Sequence, residues 1–332
     1  MNQDIRLHEL QLWLEQTLGH NKFTMAPASA DASFRRYFRV TTAQQTWVAM
    51  DAPPDKENCE PFVHVAHMIE AAGVQAPHIF QRSQEQGFML LSDLGSTPYL
   101  NKLNEYSADH LYQDAISSLI KMQTLKNGLP VYDNKLLQFE MSLCRDWYFA
   151  KHLHIELTEK QQGILQNTFD ILAQNALQQP QVFVHRDYHS RNLMITETDN
   201  PGVIDFQDAV TGAISYDLVS LLKDCYIAWP RHKVEAWVGY FLANNPQTAK
   251  ISFAQFMRWF DLMGAQRHIK VLGIFARLNY RDGKPAYLKD IPRVLAYVFD
   301  TCERYEELHD MHNLFCELDA KPDVATLKLI RD

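Results

Sequence analysis

The sequence has no CxxC pair, no internal repeat, no low-complexity tract and no run of about 18 apolar residues. Each absence excludes something. The five cysteines, at 59, 144, 225, 302 and 316, are scattered and odd in number, so neither a disulfide framework nor a zinc site is expected. A reducing cytoplasm is the expected setting. The missing apolar run argues against a membrane span, and MNQDIRLHELQLWL carries acidic residues early and no signal-peptide core. Basic charge is lacking too. A net charge of −8 argues against a general nucleic-acid binder, whose footprint is normally basic.

What is present is an ordinary soluble composition, 46% hydrophobic and 22% charged, over 332 residues. That length suits one large domain or two medium ones. Helix-spaced apolar residues predict a helix over 4–18. FRRYFRV and TWVAM then read as a hairpin, followed by a helix at 58–72 and strands in HIFQRS and GFMLLSD. After Gly95 helical spacing dominates, at 107–125, 138–152 and 158–178, and again at 214–227, 231–243, 253–279 and 291–304. An island of three β runs, VFVH, NLMIT and GVIDF, interrupts it between 182 and 205. An α+β fold follows, with a strand-rich part over 1–94 and a larger helical part over 95–332. A cleft between two such parts is a common place for a ligand.

The charged residues of VFVHRDYHSRNLMI interrupt an apolar setting. Asp187 follows a hydrophobic strand, so it sits on a loop, where a carboxylate can take a proton from a substrate hydroxyl. Asn192 can offer its carbonyl oxygen to a hard cation, and Asp205 in PGVIDFQDA stands at another strand end. One carboxylate acceptor with an Asn/Asp pair for Mg2+ is the equipment of phosphoryl transfer. A single aspartate would more simply cap a turn; the three together favour chemistry.

The spacing matches the kinase catalytic loop H-R-D-x-x-x-x-N followed by a metal-binding aspartate. IDFQD replaces D-F-G, no A-P-E element follows, and GAISYDLVSLLKD leads directly into a helix. The chain therefore resembles the aminoglycoside phosphotransferase-like kinases, which include choline and homoserine-type kinases. That resemblance implies a protein-kinase-like two-lobed fold, ATP and Mg2+, Asp187 as the base, Asn192 and Asp205 as Mg2+ ligands, and Asp217 of SYDL as a brace of the catalytic loop. Longer stretches, among them ASADASFRRYFRV and DLMGAQRHIKVLGIFARLNYRDGKPAYLKDIPR, resemble the bacterial amino-sugar kinases of cell-wall recycling. These phosphorylate the anomeric hydroxyl of N-acetylmuramate or N-acetylglucosamine. Two other readings remain open: a kinase for an aminoglycoside, choline or another hydroxyl, and a nucleotide-binding pseudokinase.

The remaining candidates follow from where a kinase holds its substrates. ASADASF takes the place of the glycine-rich loop without a glycine, so Ser29, Ala30 and Ser33 are candidates to approach phosphate. VAMD puts Asp51 where a phosphate-binding lysine is expected, which leaves Arg35 and Arg36, ahead of Lys56, to supply the positive charge. Ser92, Asp93 and Leu94, at the end of FMLLSDLGS, are candidates to pair with adenine through their backbone, as the resemblance implies. For the sugar the candidates are Arg191, Asp208, Asp224, Trp229, Arg267 and His268. Arg267 is of the type that pairs bidentately with a carboxylate. Arg267 and Lys270 share a helix face, and a basic stripe facing solvent or a neighbouring acid is the simpler reading for Lys270. The expected partners are a small-molecule amino sugar and ATP, with no nucleic acid and no membrane, and the expected state is a monomer.

Overall fold

Alternating apolar and polar residues in RYFRV and TWVAM suit a sheet with one buried face. The computed structural model describes residues 4–29, 34–126 and 128–332. By internal packing the chain divides into two units, Met1–Pro98 with Leu193–Asp208, and Tyr99–Asn192 with Ala209–Asp332. Packing thus carries the first unit slightly past residue 94 and adds a segment from much later in the chain.

Among its described residues the first unit holds α1 (Ile5–Leu18), α2 (Glu60–Ala71) and an antiparallel sheet of β1 (Thr24–Ser29), β2 (Arg36–Thr41), β3 (Thr46–Asp51), β4 (Ile79–Ser83) and β5 (Phe88–Ser92). The strand order is β1-β2-β3-β5-β4. Asp4 caps α1 by accepting the Leu7 N–H. Leu10, Trp13 and Leu14 of α1 pack on Phe38, Val40, Ala49, Phe88 and Leu90. Pro27 falls where β1 breaks register with β2, an edge position that tolerates a residue without an N–H. Gly87 lies in left-handed backbone at φ 72°, and a Cβ there would stand 1.9 Å from the Ala52 carbonyl oxygen. Only glycine lets β5 start so close to the end of β3.

The second unit holds α3 (Ala108–Gln123), α4 (Asn134–Leu143), α5 (Glu159–Leu177) and β6 (Gln181–Val184). The two-residue strands β7 (Leu193–Met194) and β8 (Gly202–Val203) pair with each other and belong to the first unit. The chain then resumes the second unit with β9 (Val210–Ala213), antiparallel to β6, and α6 (Tyr216–Leu222). It ends with α7 (Arg231–Asn244), α8 (Phe253–Tyr280), α9 (Ile291–Arg304), α10 (His309–Glu317) and α11 (Val324–Arg331). Helix α8 is buried around most of its circumference from Phe256 to Ala276. A Cβ on Gly273 would stand 2.2 Å from the Leu143 carbonyl carbon, so α8 meets the chain backbone to backbone there.

Several local expectations shift. The helix expected at 138–152 begins at Asn134 and turns π-helical over Cys144–His152, next to the Gly273 contact. NLMIT and GVIDF shrink to two-residue strands. The helix expected at 214–227 stops at Leu222: the backbone leaves helical values at Lys223, and beyond it the Tyr226 N–H goes to the Asp224 side chain instead of a helical carbonyl. Strand β9 and helices α10 and α11 were not anticipated by pattern. VTGA is too short and too glycine-broken to read as a strand, and α10 and α11 are short helices of mixed polarity.

Candidate active site

Strand β6 is buried from Val182 to Val184 and delivers the loop 185–192. Two side chains anchor that loop from the inside. Tyr188 is fully buried and donates its hydroxyl to the Ala115 carbonyl at 2.8 Å. His185 is also fully buried, and its Nδ1 accepts the Asp187 N–H at 3.2 Å. His185 therefore braces, in keeping with the loop's motif.

Asp217, in the first turn of α6, clamps the loop's start. Its Oδ2 accepts the His185 N–H at 2.6 Å and its Oδ1 accepts the Arg186 N–H at 3.0 Å. Arg186 sits at φ 76°, a left-handed conformation that costs about 1–3 kcal/mol for a side-chain-bearing residue. The bidentate carboxylate offsets that strain. Burial pushes the Asp217 carboxyl up to about 7, although both N–H donors favour its ionised form.

Beyond this strained residue stands Asp187, whose side chain keeps 47% of its surface exposed. Burial of its surroundings raises its pKa, but Lys270, His189, Arg267 and Arg186 outweigh that and hold it down to about 2. The carboxylate is thus ionised across the physiological range. Its backbone carbonyl accepts the Asn192 Nδ2–H at 3.0 Å and the His189 N–H at 3.0 Å. The first of these bonds turns the Asn192 amide so that its oxygen points away from that carbonyl.

The cations beside Asp187 are themselves held from behind. Glu140 of α4 is buried and takes the Arg186 guanidinium, Lys270 at 2.9 Å and the Tyr132 hydroxyl. Burial raises the Glu140 carboxyl, yet Lys270 and Arg186 bring it below its usual range. Lys270 also reaches the Tyr216 hydroxyl at 3.2 Å. Arg267 differs. It is 3% exposed and its Nη2 stands 4.0 Å from Asp187 Oδ1, beyond hydrogen-bond reach. Its Nη1 donates to the Cys225 sulfur at 3.3 Å, and among the described residues its Nε has no acceptor. Arg191 lies over the Tyr226 ring with its guanidinium carbon 3.5 Å from the centroid.

The other sugar candidates are placed less favourably. Trp229 is 4% exposed, donates Nε1–H to the Tyr112 hydroxyl at 2.8 Å and packs edge-on to Trp237. It is core. His268 is fully buried, stacked on Tyr297 at 4.7 Å, with Nε2 2.8 Å from the Lys223 carbonyl. Asp224 is fully buried and accepts the Ser190 N–H at 2.9 Å and the Tyr226 N–H at 2.8 Å. The Trp229 Nε1, the His268 Nε2 and both Asp224 oxygens are thus taken up by backbone and neighbouring side chains.

In the first unit, Asp205 is exposed at φ 64°, with Oδ1 accepting the Gln207 amide at 2.8 Å. The next residue, Phe206, is fully buried against Phe62 at 4.8 Å and fixes the turn. Asp208 is exposed. Ser29 ends β1, while Ala30 and Ser33 lie outside the described residues. Asp51, in the place of the expected lysine, is fully buried and accepts Arg6 Nε at 2.9 Å and Arg36 Nε at 2.9 Å. Arg36 is thereby committed to Asp51 and Asp4. Arg35 instead pairs with Glu57 at 2.9 Å, with 10% and 17% of the two side chains exposed. Asp93 receives Arg39 bidentately at 2.7 and 2.9 Å. The Ser92 hydroxyl accepts the His78 N–H at 2.8 Å, and Leu94 is buried.

Sequence reasoning missed Glu140, Arg39 and the loop-bracing contact of Asp224. A lone acid on the apolar side of LLQFEMSL was the available signal for Glu140.

Comparison with known proteins fits this arrangement. Residues 24–253 match the family model described as the phosphotransferase enzyme family. An N-acetylmuramate/N-acetylglucosamine kinase of Pseudomonas putida is 45% identical over 96% of this chain and 98% of its own length. The protein of that name from Neisseria meningitidis serogroup B is 41% identical over 96% of this chain and 97% of its own. Among solved structures, choline kinase LicA from Streptococcus pneumoniae superposes with a TM-score of 0.62 at 11% identity, over 88% of this chain and 99% of that one. An aminoglycoside phosphotransferase in complex with gentamicin gives 0.60 at 14% identity, over 89% and 97%. At such identities the structural matches speak for the protein-kinase-like α+β fold alone.

Proposed function

The chain belongs to the phosphotransferase enzyme family, and from that membership we propose that it is an ATP-dependent kinase of N-acetylmuramate or N-acetylglucosamine, making the sugar 1-phosphate. The observation that carries the reading is the Asp187 carboxylate: half-exposed, ionised, and presented by a loop that Tyr188, His185 and Asp217 brace from the inside. The relatives at 45% and 41% identity supply the sugar class. The anomeric position and a place in cell-wall recycling rest on the resemblance of the long sequence stretches.

Asp187 orients the acceptor hydroxyl toward the γ-phosphorus and takes its proton. With a pKa of about 2 it is a weak base, so the proton moves late and positioning supplies most of the rate. Arg267 and Lys270 keep the carboxylate ionised while it waits. The donors proposed for Mg2+ are the Asn192 amide oxygen and the Asp205 carboxylate, hard oxygens of the kind that ion takes. The Asn192 Nδ2 bond to the Asp187 carbonyl fits this role, because it ties the amide to the residue that carries the proposed proton acceptor. Mg2+ there would offset charge on the phosphate oxygens.

On the nucleotide side, the proposed adenine contacts are backbone groups of Asp93 and Leu94, with Arg39 holding the Asp93 carboxylate in place. Arg35 is the proposed phosphate cation, with Glu57 in the supporting role that a helix glutamate plays for the lysine of other kinases. The cationic surroundings of Asp187 oppose a cationic acceptor such as choline or an aminoglycoside.

The test is Mg2+-dependent ADP release over a panel holding N-acetylmuramate, N-acetylglucosamine, choline and an aminoglycoside, with phosphorus NMR of the product. Turnover of the amino sugars with phosphate on C1 is expected. Turnover of choline or the aminoglycoside alone would overturn the reading, and phosphate on C6 would overturn the anomeric assignment.

A further inference from the structure

Two aspartates, one in the first turn of α6 and one just past its end, both aim their oxygens at the catalytic loop. Asp217 holds the residues before Asp187, at His185 and Arg186. Asp224 lies just past the end of the helix and holds the residue midway between Asp187 and Asn192, accepting the Ser190 N–H at 2.9 Å. Its other oxygen takes the Tyr226 N–H at 2.8 Å. Asp224 is fully buried and, among the described residues, forms no ion pair.

A buried carboxylate without a counter-ion is costly, and a neutral Asn or Ser would close the Tyr226 turn as well. What the charge adds is a stronger bond to Ser190, since hydrogen bonds to an ionised acceptor are about twice as strong as neutral ones. The segment it holds determines how far the Asp187 carboxylate stands from the Asn192 amide. Every residue of α6 is buried, so the helix is a fixed spacer between the two aspartates. Ser190 is fully buried as well.

We propose that Asp224 is a positioning residue for phosphoryl transfer: through the Ser190 N–H it fixes the downstream half of the catalytic loop, as Asp217 fixes the upstream half, and it does not contact the sugar. This rests on the reading of Asp187 as proton acceptor and Asn192 as Mg2+ donor. Removing the bond loosens the loop at Ser190, although Tyr188 still anchors it, and degrades the alignment of those two groups, while the sugar's own contacts stay.

Asp224→Asn keeps one acceptor oxygen but turns an amide toward the second N–H. Its kcat is expected to fall about 10- to 100-fold, as supporting contacts of reactive groups typically do, with the sugar KM changed less than about threefold. The Mg2+ concentration for half-maximal rate should rise, and amide hydrogen exchange over 188–192 should quicken while α5 keeps its protection. Asp224→Glu keeps the charge but displaces it, so it should not restore kcat. A raised sugar KM at unchanged kcat would assign Asp224 to sugar binding and overturn the proposal, as would unchanged exchange and turnover. If Asp224→Asn does not fold, amide exchange in the wild-type protein decides. A Ser190 amide protected like those of His185 and Arg186 supports the brace, and one exchanging like an open loop overturns it. A wild-type protein that phosphorylates no amino sugar sinks the functional reading instead, and the exchange measurement still reports on the brace.

Discussion

Asp51 and Asp187 make an instructive pair, one in each unit. Both stand just where a buried strand ends, and both have arginines nearby. Asp51 is fully buried and its two oxygens are filled by Arg6 and Arg36 at hydrogen-bond distance. Asp187 is 47% exposed, and its nearest guanidinium, that of Arg267, stops at 4.0 Å. A saturated carboxylate stabilises a fold; an ionised one whose cations are held just out of reach remains available to a substrate. The cations around Asp187 stay back because other groups hold them: Glu140 takes Arg186 and Lys270, and Cys225 takes Arg267. The catalytic-looking aspartate is distinguished by what its neighbours do elsewhere.

Substitutions test that contrast. Asp187→Asn should leave the fold and nucleotide binding intact and lower kcat by about 10²- to 10⁴-fold, the range for removing a positioned proton acceptor. Steady-state turnover beside the circular dichroism spectrum measures it, and turnover near wild type would remove Asp187 from the mechanism.

Asp51→Ala should do the reverse. Taking one carboxylate from two arginines that retain Asp4 and the Gln86 carbonyl is expected to cost about 2–3 kcal/mol of stability, below the usual range for a broken buried pair because Arg6 and Arg36 keep 29% and 36% of their side chains in water. Urea unfolding reads this loss, and activity per folded molecule should fall less than about threefold. A large kcat loss without destabilisation would mean that Asp51 is chemical after all.

Arg267→Met should act more mildly, through the charge of Asp187. Removing that cation raises the Asp187 pKa from about 2, by part of the way to its ordinary value because Lys270, His189 and Arg186 remain. The acid limb that Asp187 contributes to kcat/KM should therefore move to higher pH, with a loss of about tenfold or less at pH 7. An unmoved limb in the pH profile would show that Arg267 does not reach Asp187.

The smallest effect concerns stability against pH. The folded pKa of Asp187, about 2, lies below the unfolded 3.8, so the group's contribution is fully present above 3.8 and is lost as pH falls through 2. The stability difference between wild type and Asp187→Asn that comes from Asp187 itself should thus shrink between pH 4 and 2. Solvent screening at this exposed side chain keeps the change small.

The contrast also shows what was legible beforehand. Asp187, Asn192 and Asp217 stand out in sequence because their types and spacings match the kinase catalytic-loop pattern and the aspartate that follows it. Helices such as α1, α5, α8 and α9 are legible because their apolar spacing is long and regular. Glu140 and the bracing contact of Asp224 are not, since a buried acid is revealed only by the partners that meet it. Arg35 and Arg36 are adjacent in sequence, and nothing in their pattern says that Arg36 belongs to Asp51 and Arg35 to Glu57. The early stop of α6 was equally hidden, since the turn that follows it is closed by a side-chain bond, from the Tyr226 N–H to Asp224.

By itself, then, the amino-acid order determined the class of chemistry and the succession of helices and strands, because local periodicity and reactive spacing are written along one dimension. Tertiary structure alone decided which charges are quenched and which stay available. That depends on distances of a few ångströms between residues far apart in the chain, such as Arg267 and Asp187, and those distances exist only once the helices have packed.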